Sequence, residues 1–127
     1  MIYLACPYSD PDPEVRAHRF ECANKQAALL MAEGLHVFSP ISHTHPIAIL
    51  GDLPLGWGYW KKYDEKILSI CDELCILALD GWQHSKGIKG ELRIARSKKI
   101  KVTTVILGSR IRNEMDSLNT WIWSRTI

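Results

Sequence analysis

Short apolar runs alternating with segments of helical period predict an α/β domain built on an open, mainly parallel sheet of four to five strands with flanking helices. Three observations carry that expectation. The runs at 2–6 and 74–79 are apolar at nearly every residue, as strands covered on both faces must be. The segment between the first two runs is long enough for a helical crossover joining parallel strands. Pro7, Gly34, Pro40 and Gly108 then stop successive elements where the apolar patterns end.

Composition narrows the class of function. A chain of 127 residues fits one domain, 1–127, with a single core that is stable without staples. A formal charge of +2 gives no electrostatic case for a nucleic-acid polymer, so a small ligand is expected. Cys6, Cys22, Cys71 and Cys75 lie in apolar or helical surroundings and match no disulfide framework or zinc knuckle, so they read as reduced core residues. No basic leader precedes an apolar run, and no segment nears the roughly 20 apolar residues that span a bilayer. The expected setting is cytoplasmic and away from membranes.

In chain order, the run at 2–6 is the first strand and ends at Pro7. Asp12 is placed to cap a helix that starts at Pro13 and continues to about Glu33, with Phe20, Ala23, Ala27 and Leu30 inward and Gly34 as its C-cap. A second strand follows at 35–39. From 41 to 58 the glycines, prolines and the Ser-His-Thr-His-Pro run show no sustained period, which predicts a long loop forming a lid or wall over a pocket. A second helix is expected at 59–71, the strongest buried strand at 74–79 and a further strand at 102–107. The remainder is expected to be helical over 112–118, followed by an aromatic tail with Trp121 and Trp123 placed to dock on a neighbouring subunit.

Two carboxylates stand out against this frame. Ile88, Glu91, Leu92 and Ala95 share the inward stripe of the helix after the third strand. Burying an ionised group there is costly, so Glu91 is exposed, paired or functional, and on spacing alone a solvated first-turn charge explains it equally well. Asp64 lies four after Trp60 and three before Ile67, on the inward stripe of its own helix, where a hydrogen-bonded packing Asp would look the same. Gly87 and Gly90 strip side chains from the start of the Glu91 helix, and Ser85 is placed to cap it, a setting suited to an anion or polar ligand. In a parallel α/β sheet, ligands bind at the carboxyl ends of the strands, which gathers Tyr3, the loop of His43 and His45, and Glu91 around one crevice. No Cys or carboxylate completes a metal-ligand spacing with His43 and His45, so no metal or other cofactor is expected. A carboxylate pair can divide glycosidic chemistry between a nucleophile and a proton carrier.

In that order and spacing, Tyr3-Leu-Ala-Cys-Pro7, Asp64, the strand at 74–79 and Gly87-Ile-Lys-Gly-Glu91 resemble the nucleoside 2-deoxyribosyltransferase superfamily over residues 1–106. The Ala-Cys-Pro-Tyr-Ser and Ser-His-Thr-His-Pro runs look most like an uncharacterised, partly phage-associated branch. The resemblance implies a flavodoxin-like fold and cleavage of an N-glycosidic bond in a nucleoside or nucleotide through a covalent glycosyl-enzyme. It implies Glu91 as nucleophile, Asp64 as the acid that orients it or protonates the departing base, and Tyr3 as a residue lining the sugar site. Transferases acting on free nucleosides often carry Asp six residues before the nucleophile; Ser85 stands there instead, resembling deoxynucleoside-monophosphate N-glycosidases whose serine contacts phosphate. Ser85, Gly87, His43 and His45 thus become candidate substrate contacts, with Pro7 and Ser9 in the loop that replaces the Gly/Ser-rich phosphate loop of those hydrolases. The resemblance also implies a homodimer or higher homo-oligomer, with Asn119 and Trp121 as candidate contributors to a partner's site. The rival expectations are a non-catalytic module of the same fold that senses a nucleotide, and an enzyme for another glycosidic substrate such as a dinucleotide or nucleotide sugar.

Overall fold

The computed structural model describes residues 1–115. Strands β1 (Ile2–Ala5), β2 (Val37–Phe38), β3 (Glu73–Leu77), β4 (Lys101–Val105) and β5 (Asn113–Glu114) form one sheet in the order β2-β1-β3-β4-β5. The first four pair in parallel, and β5 runs antiparallel to β4. Helices α1 (Pro13–Ala32), α2 (Pro40–Gly51), α3 (Trp57–Ser69) and α4 (Lys86–Ser97) flank the sheet, and a short 3-10 turn at Trp82–His84 precedes α4. This is the open, mainly parallel sheet expected from the pattern of apolar runs, of the flavodoxin-like kind that the resemblance implies.

Because side chains alternate across a strand, the near-continuous apolar runs sort into two cores by residue parity. Tyr3 and Ala5 of β1 and Leu74 and Ile76 of β3 face Leu68 of α3 and Ile88, Leu92 and Ala95 of α4. Ile2, Leu4, Cys75 and Leu77 face the opposite side, against Cys22, Ala23, Ala27 and Leu30 of α1. Tyr3 therefore lies beneath α4, which decides what its hydroxyl can reach. All four cysteines are buried and unpaired, as their apolar surroundings imply.

Local signals set the helix ends. The Asp12 carboxylate accepts from the Glu14 N–H at 2.9 Å, and Pro13 occupies the first turn of α1. Phe20, expected inward, is half-buried and stacks instead on His45 of α2 at 4.4 Å between ring centroids. The expectation of a loop over 41–58 is corrected by α2. Its prolines and glycine read as breakers, yet Pro40 sits at the tolerated first turn and Gly51 at the last, where Asp52 closes the helix in the left-handed region at φ 53°. Pro46 alone lies in the interior.

The expectation of a helix over 112–118 is also corrected over 112–115; 116–118 lie outside the described residues. Arg112 is drawn across the sheet edge to Glu73, Asn113 and Glu114 pair with Thr104 and Thr103, and the Met115 N–H bonds the Val102 carbonyl at 2.9 Å. The buried Gln26 holds the preceding turn, accepting from the Gly108 N–H and donating to the Ser109 carbonyl, both at 2.8 Å. Asn119, Trp121 and Trp123 lie outside the described residues. No described helix is long and apolar enough to cross a membrane.

Candidate functional site

The sheet changes direction between β1 and β3: the chain leaves β1 toward β2 on one side and β3 toward β4 on the other. A crevice opens at such a switch point, outside the carboxyl ends of the strands. Here it is a cavity of about 830 Å³, a volume suited to a small-molecule ligand. Its walls come from the loop after β1, one face each of α1 and α2, the first turns of α3, and the start of α4.

Glu91 and Asp64 both line this cavity, although they come from different helices. Each is nearly inaccessible, at 6% and 8% exposure. Tyr3 donates its hydroxyl to Glu91 Oε2 at 2.5 Å from below. Burial holds the tyrosine proton on, since its pKa is raised by desolvation and by the Glu91 and Asp64 charges, so Tyr3 is the donor. Desolvation pushes Glu91 up to about 8; the Tyr3 hydrogen bond opposes the shift and the Asp64 charge adds to it. Desolvation likewise pushes Asp64 up to about 7. Asp64 Oδ1 is fully shielded and has no hydrogen-bond partner among the described residues, a costly state for a carboxylate oxygen unless it is protonated or meets a ligand. Two carboxyl groups in one cavity, both titrating near neutrality, fit a division of labour between nucleophile and acid.

Ser85 caps α4 as its position implies: Oγ accepts from the Ile88 N–H at 3.2 Å, which leaves its own hydroxyl proton for another partner. Ser85, Gly87, Pro7, Ser9 and His45 line the cavity together with the two acids. His43 does not. In a helix, residues two apart project about 200° apart, so the two histidines that a loop would have presented together are separated by α2. His43 is exposed, stacked on Tyr63 at 6.2 Å and tilted against Phe38 at 6.0 Å. His45 turns inward, where its Nδ1 hydrogen-bonds the Tyr8 hydroxyl and burial lowers its pKa.

Sequence reasoning missed three contributors. Arg16 and Arg19, three apart on α1, line the cavity, and neither forms an ion pair among the described residues. Arg16 donates to the Asp10 carbonyl at 2.5 Å, and its Nε is shielded without a partner. Arg19 donates to the Tyr8 and Ser9 carbonyls at 3.3 and 3.1 Å. Their i, i+3 spacing just after the loop was the available signal. Trp57 is the third, and its flanking glycines disguised the start of α3 as part of a loop. Guanidinium groups on α1 thus face the same cavity as the carboxyl groups on α3 and α4, with Asp10 and Lys86 also in its lining.

No curated protein matches the chain at a significant level. A family model described as "Domain of unknown function (DUF1937)" matches residues 1–106. That span takes in every cavity-lining residue and ends just after β4. The chain belongs to the DUF1937 family.

Proposed function

We propose that this protein cleaves the N-glycosidic bond of a (deoxy)nucleoside or its 5'-monophosphate. The observation that carries the reading is the pair of buried carboxyl groups, Glu91 backed by Tyr3 and Asp64 without a partner among the described residues, facing one ligand-sized cavity. With the one proton that the coupled pair shares placed on Asp64, ionised Glu91, held by the Tyr3 hydroxyl, attacks the anomeric carbon as the bond to the base nitrogen breaks. The electron pair of that bond leaves on the base, which takes the proton of Asp64. The oxocarbenium character of the transition state is stabilised by the Glu91 anion. In the second half, Asp64, now ionised, removes a proton from water or an acceptor base, whose atom attacks the anomeric carbon and releases Glu91. Water gives hydrolysis, and a second base gives transfer.

Arg16 and Arg19, free of ion pairs among the described residues, favour a substrate with negative charge, hence the monophosphate. Ser85, with a hydroxyl proton to spare at the start of α4, supports the same preference.

The test incubates the protein with deoxynucleosides and their 5'-monophosphates, with and without an acceptor base. Free base is expected, faster from the monophosphates, and base exchange in the presence of an acceptor would identify transfer. Equal turnover of nucleoside and monophosphate would remove the phosphate preference. Product formation that survives Glu91→Ala would remove the mechanism. If no bond is cleaved but a nucleotide raises the melting temperature, the protein is a sensor of the same fold.

A further inference from the structure

Trp57 opens α3 and lies on the same face as Asp64, seven residues later, and both line the cavity. Its indole rests against the backbone of α4. A Cβ on Gly90 would lie 2.2 Å from Trp57 Cζ2, 2.4 Å from Cε2 and 2.7 Å from Nε1, so any side chain there would expel the ring. A Cβ on Gly87 would lie 3.8 Å from Cε3, in ordinary contact. The ring is therefore seated against the residue directly before Glu91. Trp60, one turn on, spends its indole N–H on the Pro54 carbonyl at 2.8 Å. The Trp57 N–H has no protein partner among the described residues.

A large aromatic ring wedged against helix backbone loses little freedom when a ligand arrives, and Trp57 lines the cavity with an unspent N–H, on the same helix as Asp64. Neither phosphate nor sugar needs such a surface. A planar heteroaromatic group does, because stacking tolerates any base.

We propose that Trp57 is the stacking surface for the departing base, and that Gly87 and Gly90 form the notch that seats it. This rests on the reading above that the substrate carries a nucleobase.

The experiment uses Glu91→Gln protein, so that ligands persist, and titrates free adenine and thymine, their deoxynucleoside 5'-monophosphates, and deoxyribose 5-phosphate by calorimetry. Adding Trp57→Ala is expected to weaken the base-bearing ligands about 10- to 100-fold and to leave deoxyribose 5-phosphate within about twofold. Trp57→Phe should restore most of the loss, and Gly90→Ala should mimic Trp57→Ala. Thermal melts of each variant keep misfolding separate, with Trp57→Phe as the variant that best preserves packing. The proposal is overturned if base-bearing ligands lose less than about twofold, if deoxyribose 5-phosphate weakens equally, or if no base-bearing ligand binds. Base release by the native enzyme that survives Trp57→Ala with unchanged KM overturns the stacking role and leaves the chemistry standing. Trp57-dependent binding of bases without any base release overturns the chemistry and leaves the stacking role.

Discussion

Two glutamates are buried in this domain to nearly the same degree, Glu73 at 8% and Glu91 at 6% exposure, and they have opposite surroundings. Glu73, at the start of β3, accepts from Thr103 Oγ1 at 2.6 Å and from Arg112 at 2.7 and 3.2 Å, so both oxygens are occupied and its charge is matched. Among the described residues Glu91 has one side-chain donor, Tyr3, and its charged neighbour is another carboxyl group. Burial alone marks neither residue as functional. What separates them is that Glu73 is closed off by a cation while Glu91 faces open volume with its electrostatic demand unmet.

The sharpest way to break the comparison is to remove each carboxylate. Glu91→Gln is expected to lower base release by on the order of 10³-fold or more, since an amide cannot replace the carboxylate that forms the glycosyl ester. It should also stabilise the protein at high pH. Glu91 and Asp64 have folded-state values of about 8 and about 7, above their ordinary 4.5 and 3.8. The native state therefore holds protons that the unfolded chain has lost, and stability falls as pH rises through roughly 4 to 8. Glu91→Gln abolishes its share of that fall, a gain of roughly 3 to 4 kcal/mol at pH 8 relative to pH 5. Urea unfolding at the two pH values checks this; an equal change at both would sink it.

Arg112→Ala is the counterpart at the other glutamate. Removing the cation strands Glu73 in a buried site and should cost about 3 kcal/mol, measured by urea unfolding. Activity per folded molecule should not change, because Glu73 and Arg112 lie outside the cavity. A fall in kcat without a fall in stability would reverse the assignment of roles.

The contrast between these glutamates also marks what the sequence could convey. Glu91 and Asp64 were legible because helical period is local: a polar residue on an apolar stripe is visible within one element. The sheet was legible for the same reason, through runs with no polar face. Glu73 was not, since its partners Thr103 and Arg112 are 30 and 39 residues away and only the folded sheet brings them together. The same contact explains the mistaken helix after β4: Arg112 and the Gln26 clasp impose an edge strand on a segment whose local pattern did not demand one. In α2 the failure was positional. Proline and glycine are breakers inside a helix and acceptable at its ends; Pro40 was read only as the stop of the second strand and Gly51 as a loop residue, whereas they open and close α2. His43 was then grouped with His45 because a loop, unlike a helix, would have left them side by side.

Tyr3→Phe sharpens the site more gently. It removes the only donor to Glu91 Oε2 among the described residues while keeping the ring in the core, for an expected loss of about tenfold in kcat/KM at pH 7. The Tyr3 hydrogen bond lowers the Glu91 pKa, so its loss raises that pKa further. The acid limb of the kcat/KM profile should move to higher pH, and part of the activity should return as pH rises. A uniform loss at every pH would mean that Tyr3 positions Glu91 without tuning it.

Ser85→Ala carries the smallest expected effect and separates two uses of one hydroxyl. Losing the cap on the Ile88 N–H should cost about 1 kcal/mol of stability whatever the substrate is. If Ser85 also donates to a 5'-phosphate, KM for a monophosphate rises several-fold while that for the free nucleoside holds. Substituting Ser85→Asp keeps a capping oxygen and introduces an anion, so it should spare the melting temperature and reverse the order of preference toward the nucleoside. Parallel changes in KM for both substrates would confine Ser85 to the helix end and leave recognition of the anion to Arg16 and Arg19, whose cations line the same cavity from α1.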